Sequence, residues 1–184
     1  VAAQARLINS GQSCVAAKRF IVAEAAAEGF TEALVRHVAA AKVGDPLDPE
    51  TEVGPLARED LLLALDRQVR ESREAGARVL VGGKRLERRG FFYAPTVLAD
   101  VRPEMAVLRE ETFGPVAPVI AVADEDEALA LANDSAYGLA ASVWSRNVGA
   151  AGRFAARLEA GAVFVNGMVK SDPRLPFGGV KRSG

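Results

Sequence analysis

Among the 184 residues there is one cysteine, one histidine and one tryptophan, and each shortage excludes something. A single cysteine rules out an internal disulfide framework, and with a single histidine beside it too few ligands remain for a structural zinc site. So little sulfur reads as a chain from a reducing interior, and the expected location is cytoplasmic. No apolar run approaches the roughly 20 residues that span a bilayer, and no charged start precedes an apolar signal core, so no membrane partner is expected. Twenty-three basic and 24 acidic residues leave a net charge of −1, and without a basic block no nucleic-acid partner is expected. No Gly-x-Gly-x-x-Gly follows a strand pattern, so the glycine-rich phosphate cradle of a dinucleotide-binding fold is not read in this chain.

What is present is a globular composition, 49% hydrophobic and 26% charged, enough for the core of about one domain. Helical and strand-like periods alternate along it. Thr31 is placed to cap a helix, with Phe30 stapled to Val35 and Leu34, Val35, Val38 and Ala41 forming its apolar stripe. A second helix is expected over 58–75, with Leu62, Leu65 and Val69 on one face and Gly76 as its stop, followed by a strand over 78–81. Val116–Val122 reads as a buried strand, Asp124 with Glu127 as a capping box, and 128–133 as the helix behind it. A strand over 140–144, a helix capped by Asn147 and ended by Gly161, and a strand over 162–165 repeat the alternation. The pattern predicts an α/β fold, a three-layer αβα arrangement around a mostly parallel sheet. Residues 43–56, with three prolines and two glycines, read as a stiffened loop within one domain.

The single thiol draws the functional reading. Asn9-Ser10-Gly11-Gln12-Ser13 reads as a turn that delivers Cys14 to the start of a helix, where unpaired amides and the helix dipole favour the thiolate. The bland reading of a lone cysteine, a small buried hydrophobe, stands beside it. His37 lies at the edge of its helix stripe and reads as packing or surface, so a Cys/His pair is weakly supported.

Asn9-x-Gly11-Gln12-x-Cys14 resembles the catalytic-cysteine motif of the NAD(P)-dependent aldehyde dehydrogenases. Gly44-Asp45-Pro46 with Gly54-Pro55, Glu110-Glu111-Thr112-Phe113-Gly114-Pro115, Asn133 with Tyr137-Gly138-Leu139, Val165-Asn166, and Pro176-Phe177-Gly178-Gly179-Val180-Lys181-x-Ser183-Gly184 follow in that family's order. Together these six motifs cover essentially the whole chain. The resemblance implies that residues 1–184 are the thiol-bearing catalytic domain and that the cofactor-binding domain is absent from the chain. The chain opens at Val1 without a methionine and stops at Lys181-Arg182-Ser183-Gly184, so a fragment, a processed chain or a dissected domain is expected. By the same resemblance the thiolate of Cys14 attacks an aldehyde, hydride passes to NAD or NADP, and water hydrolyses the remaining thioester. The family's general base and its asparagine oxyanion donor lie upstream of Val1, so the isolated chain is expected to be inactive.

The resemblance also assigns the cofactor and substrate residues. Glu111 is similar to the carboxylate that holds the nicotinamide ribose hydroxyls, and Phe113 to an aromatic beside that ribose, although a core phenylalanine reads the same way in sequence. Glu110 reads as structural. Phe177 resembles an aromatic of the substrate tunnel, and Asn166 a strand-end residue near it. The stretches 16–20 and 168–176 look most like the succinate-semialdehyde dehydrogenase branch, with Ser171 and Arg174 as donors for a distal carboxylate. Ile8 departs from that branch, some members of which carry arginine there. Lys18 and Lys170 read as surface charges. The implied partners are a small-molecule aldehyde and further copies of the parent chain in a homo-oligomer. The alternatives are a non-catalytic folded module and a single-cysteine redox protein.

Overall fold

The computed structural model describes residues 1–184, which form two compact units, Val1–Ala121 and Val122–Gly184. In the first unit α1 (Ala2–Leu7) leads through a tight turn to β1 (Phe20–Ala23) and α2 (Glu24–Ala40). Then come α3 (Glu59–Glu74), β2 (Arg78–Val81), β3 (Thr96–Ala99), the single turn α4 (Ala106–Arg109) and β4 (Val116–Val122). The four strands form one sheet in the order β1-β4-β3-β2. β3 and β4 run parallel, with Thr96 opposite Val116, whereas β2 runs antiparallel to β3 and slips register between Val79 and Val81. The fold is α/β as expected, around a mixed sheet.

The burial of β4 explains its place inside the sheet. Val116 to Ile120 are all buried without alternation, the mark of a strand covered on both faces. Leu34 and Val38 of α2 pack with Val97 of β3 and with Ala117 and Val119 of β4, and Phe20 and Phe30 close the cluster with ring centroids 6.0 Å apart.

Helix α3 runs as the sequence predicts. It buries Leu62, Leu65 and Val69, and Gly76 follows its C-cap at φ +109°, the left-handed stop that favours glycine. The start of α2 differs from expectation. It begins at Glu24, so Thr31 lies inside the helix and caps nothing. The Glu24-Ala25-Ala26-Ala27-Glu28 stretch has high intrinsic helix propensity and extends the helix backward despite Gly29.

In the second unit, α5 (Glu125–Asn133) is followed by β5 (Tyr137–Gly138), β6 (Ala140–Val143), α6 (Val148–Ala155), β7 (Ala162–Val165) and β8 (Val180–Lys181). The capping box holds: Asp124 accepts from the Glu127 amide at 2.8 Å and Glu127 accepts from the Ala123 amide at 2.7 Å. It starts the helix at Glu125, three residues before the predicted first residue. Asn147 caps α6 by accepting from the Ala150 amide at 3.0 Å. β6 and β7 pair in parallel from Ala140 opposite Ala162 to Val143 opposite Val165, and β5 pairs with β8 antiparallel. No helix is long and apolar enough to cross a membrane.

Candidate active site

The turn before the thiol is built from unusual backbone. Asn9, Ser10 and Gly11 have φ of 49°, 57° and 75° in succession, a left-handed run that costs about 1 kcal/mol or more at each non-glycine residue. Neighbouring groups hold it in place. Arg6 donates Nη2 to the Gly11 carbonyl at 2.7 Å, Asn9 donates Nδ2 to the Gln12 carbonyl at 3.0 Å, and Ser10 Oγ accepts from the Gly54 amide at 2.9 Å. A Cβ on Gly11 would lie 2.1 Å from the Gly114 carbonyl oxygen. Two backbone segments therefore touch here with no side chain between them.

Gln12 works like a short strand partner. Its Oε1 accepts from the Ala57 amide at 2.8 Å and its Nε2 donates to the Pro55 carbonyl at 3.3 Å. These bonds fasten the thiol turn to the segment that opens α3. Cys14 follows, exposed, in a turn closed by the Ala16 amide donating to the Ser13 carbonyl at 3.0 Å. The expected helix at Cys14 does not form, because the turn opens into an extended run to β1. No helix N-terminus therefore meets the thiol, which stands exposed at the turn.

Cys14 shares a cavity of about 420 Å³ with Leu61, Ala64, Leu65, Gln68, Glu111 and Phe113. The structure thus brings together three residues singled out in sequence, Cys14, Glu111 and Phe113. Phe113 is half-buried at the cavity wall. The carboxylate of Glu111 is exposed, whereas that of Glu110 is occupied. Glu110 receives Arg67 at 3.1 and 2.5 Å and Gln68 Nε2 at 3.1 Å, and these bonds hold its pKa below the usual carboxylate range. Gln68 Nε2 also donates to the Glu111 carbonyl at 3.0 Å. On the other side Thr112, buried, donates Oγ1 to the Val107 carbonyl at 3.0 Å.

Two cations near the thiol turn are withdrawn from solvent, and for Lys18 this departs from the expected surface charge. Lys18 is partly buried and donates to the Leu108 carbonyl at 3.1 Å. Burial, helped by the charge of Arg19 and opposed by Glu111, pushes its pKa down to about 8. Arg6 is 1% exposed, and its Nε and Nη1 have no partner; burial lowers its pKa to about 10. His37 is exposed and bonded to the Ala33 carbonyl of its own helix.

The remaining candidates belong to the second unit. Ser171 and Phe177 line a small cavity of about 40 Å³ with Phe164, Val169 and Leu175. Phe177 is 56% exposed. Asn166, at φ 53°, closes a reciprocal pair with Ser145: Oδ1 accepts from the Ser145 amide at 2.9 Å and Nδ2 donates to its carbonyl at 3.0 Å. Arg174 is engaged by Asp172 at 2.9 and 2.7 Å, which draws the Asp172 pKa down to about 2. Its guanidinium is therefore already matched by a carboxylate.

Sequence reasoning missed Arg67 and Gln68. A signal existed, since Gln68 interrupts the apolar face set by Leu61 and Leu65 at helical spacing.

One exposed thiol, an exposed acid and an aromatic ring thus line a single cavity of the first unit. The chain belongs to the aldehyde dehydrogenase family, whose sequence profile matches residues 1–184. It is 51% identical over 179 residues to the succinate semialdehyde dehydrogenase (NAD(P)+) of Escherichia coli, covering 97% of this chain and 39% of that protein. Against succinate-semialdehyde dehydrogenase (NADP(+)) 1 of Mycobacterium tuberculosis the identity is 50%, with the same coverage of 97% and 39%. The crystal structure of lactaldehyde dehydrogenase from Escherichia coli superposes with a TM-score of 0.96 at 36% identity, over 100% of this chain and 39% of that one. The chain thus spans about two fifths of the length of the curated relatives it matches.

Proposed function

We propose that residues 1–184 are the thiol-bearing catalytic domain of an aldehyde dehydrogenase that oxidises succinic semialdehyde to succinate, with the cofactor-binding domain outside these residues. The carrying observation is the gathering of Cys14, Glu111 and Phe113, distant in sequence, around one cavity. The names of the relatives at about 50% identity support the substrate.

In this reading the Cys14 thiolate adds to the aldehyde carbon, and the C–S bond formed gives a thiohemiacetal, far more ready to lose hydride than the free aldehyde. NAD or NADP, when bound, supplies the hydride acceptor. The backbone amide of Cys14 is one donor to the oxyanion. Once the carbon is oxidised to the thioester level, water cleaves the C–S bond, releasing the carboxylic acid and returning the thiolate. Glu111 offers two acceptor oxygens that suit a vicinal diol, and Phe113 an apolar face beside it. The cavity is of the size that small-molecule sites take, about 300–1,000 Å³, so these residues fit the nicotinamide ribose end of the cofactor. Phe177, Asn166 and Ser171 are the proposed substrate-side residues, whereas Arg174 is taken up by its ion pair with Asp172. The parent enzyme is proposed to be a cytoplasmic homo-oligomer.

The test is an aldehyde panel run on the intact enzyme with each cofactor. Succinic semialdehyde is expected to give the highest kcat/KM, and a tenfold preference for an aldehyde without a distal carboxylate overturns the substrate. The 184-residue chain alone is expected to form no NADPH or NADH from any aldehyde.

A further inference from the structure

We propose that Gln68, with the Arg67–Glu110 ion pair beside it, is a positioning residue that fixes Glu111 at the wall of the Cys14 cavity. The two acids of the Glu-Glu pair have opposite surroundings. The carboxylate of Glu110 receives three hydrogen bonds, two from Arg67 and one from Gln68. That of Glu111 stands exposed, and it is the main chain of this residue that is held, by Gln68 Nε2 at 3.0 Å. One amide nitrogen therefore ties the anchoring acid to the backbone of the open one.

Gln68 is an expensive choice for this position. It is 4% exposed and its Oε1 has no partner, whereas a methionine or leucine would continue the apolar face of α3 without leaving a buried acceptor unmet. What the amide contributes that an apolar side chain cannot is the pair of bonds to residues 110 and 111. Arg67 is in turn braced by Glu71 at 2.8 Å, one turn further along the helix. The same helix supplies Leu61, Ala64 and Leu65 to the cavity, so a single rigid element forms one wall and holds the other. Thr112 and Lys18, bonded to the Val107 and Leu108 carbonyls, secure the segment from its N-terminal side. Glu111 is thereby a preorganised acceptor, its main chain pinned and its carboxylate left for a ligand.

The inference rests on the proposed role of Glu111 toward the cofactor ribose, and the experiment separates the two. In the intact enzyme, Gln68→Met, Glu110→Gln and Glu111→Gln are compared by amide hydrogen exchange over residues 110–113, by calorimetric Kd for NADP+ and NAD+, and by the KM for aldehyde. Gln68→Met is expected to speed exchange and raise the cofactor Kd, each about tenfold, the scale of one hydrogen bond to a charged group, while aldehyde KM stays within about twofold. Glu110→Gln is expected to follow it with a smaller effect, because Arg67 keeps a neutral acceptor. Glu111→Gln is expected to raise the Kd with exchange unchanged. Wild-type exchange and Kd in Gln68→Met overturn the clamp. Should Glu111→Gln leave the Kd unchanged, the ribose role falls, and exchange alone decides the clamp: faster exchange supports it and wild-type exchange overturns it. If Gln68→Met does not fold, Arg67→Lys takes its place under the same criteria.

Discussion

The cavity around Cys14 and the small cavity of the second unit are held by different kinds of contact. Around Cys14 the bracing bonds are long in sequence: Gln12 to residues 55 and 57, Lys18 to 108, Gln68 to 110 and 111. In the second unit the loop that carries Ser171, Arg174 and Phe177 is bonded locally, Arg174 to Asp172 two residues away, and Leu175 and Phe177 are more than half exposed. That loop is tied at its far end, where Lys181 donates to the Asn133 carbonyl at 2.7 Å and Ser183 Oγ accepts from the Gly138 amide at 3.2 Å. On the proposed function this difference would be a division of labour, with the chemistry on the cross-braced frame and specificity on the lightly held loop.

The largest test of that division is Cys14→Ser in the intact enzyme, expected to lower turnover about a thousandfold or more; stopped-flow NADPH formation near the wild-type rate would remove the thiol from the mechanism. Next, Gly11→Ala forces a Cβ against the Gly114 carbonyl at a left-handed position, and an unfolding loss of about 2–4 kcal/mol is expected by urea titration. A loss below about 0.5 kcal/mol would show that the frame yields more easily than the contact implies.

Glu111→Gln should slow hydride transfer about tenfold with thermal stability preserved. A change in Tm without a change in rate would move Glu111 from the site to the scaffold.

Lys18 gives a pH signature. With its pKa lowered to about 8 from 10.5, the folded chain binds fewer protons than the unfolded one between these values, so stability rises with pH across that window. Relative to Lys18→Met, the wild type is expected to gain about 1 kcal/mol between pH 7.5 and 10.5, discounted for the partial exposure of the amine; parallel pH curves would refute its burial. The smallest effect is expected at Arg174→Ala. Because Asp172 already occupies the guanidinium, kcat/KM for succinic semialdehyde should fall less than about threefold, and a larger fall would mean that Arg174 exchanges Asp172 for the substrate carboxylate.

Much of this frame was legible where a local signal and the tertiary outcome agree. The β4 run, the α3 stripe with its Gly76 stop, and the Asp124–Glu127 box each carry their own pattern in a few residues. The motif around Cys14 pointed to the right turn but to the wrong continuation. The conformation after the thiol is set by Ala17, whose amide bonds back to the Ala5 carbonyl at 2.9 Å, and by Lys18 reaching Leu108, and neither partner is visible in a local window. Glu111 and Phe113 were identified through a resemblance. The reason Glu111 stands open while Glu110 is consumed lies on α3, more than forty positions away in the chain.

The approach of Gly11 to Gly114 bears on how such a site tolerates change. Where two segments meet through side chains, a substitution on one is absorbed by a rotamer shift on the other. Here the meeting surfaces are peptide groups, so the spacing between the thiol turn and the acidic segment is fixed by the dimensions of the backbone. The neighbourhood of Cys14 thus contains a gauge that residue replacement elsewhere in the cavity leaves untouched. A change of size at Leu61 or Ala64 would therefore leave the spacing between the thiol turn and the acidic segment unchanged.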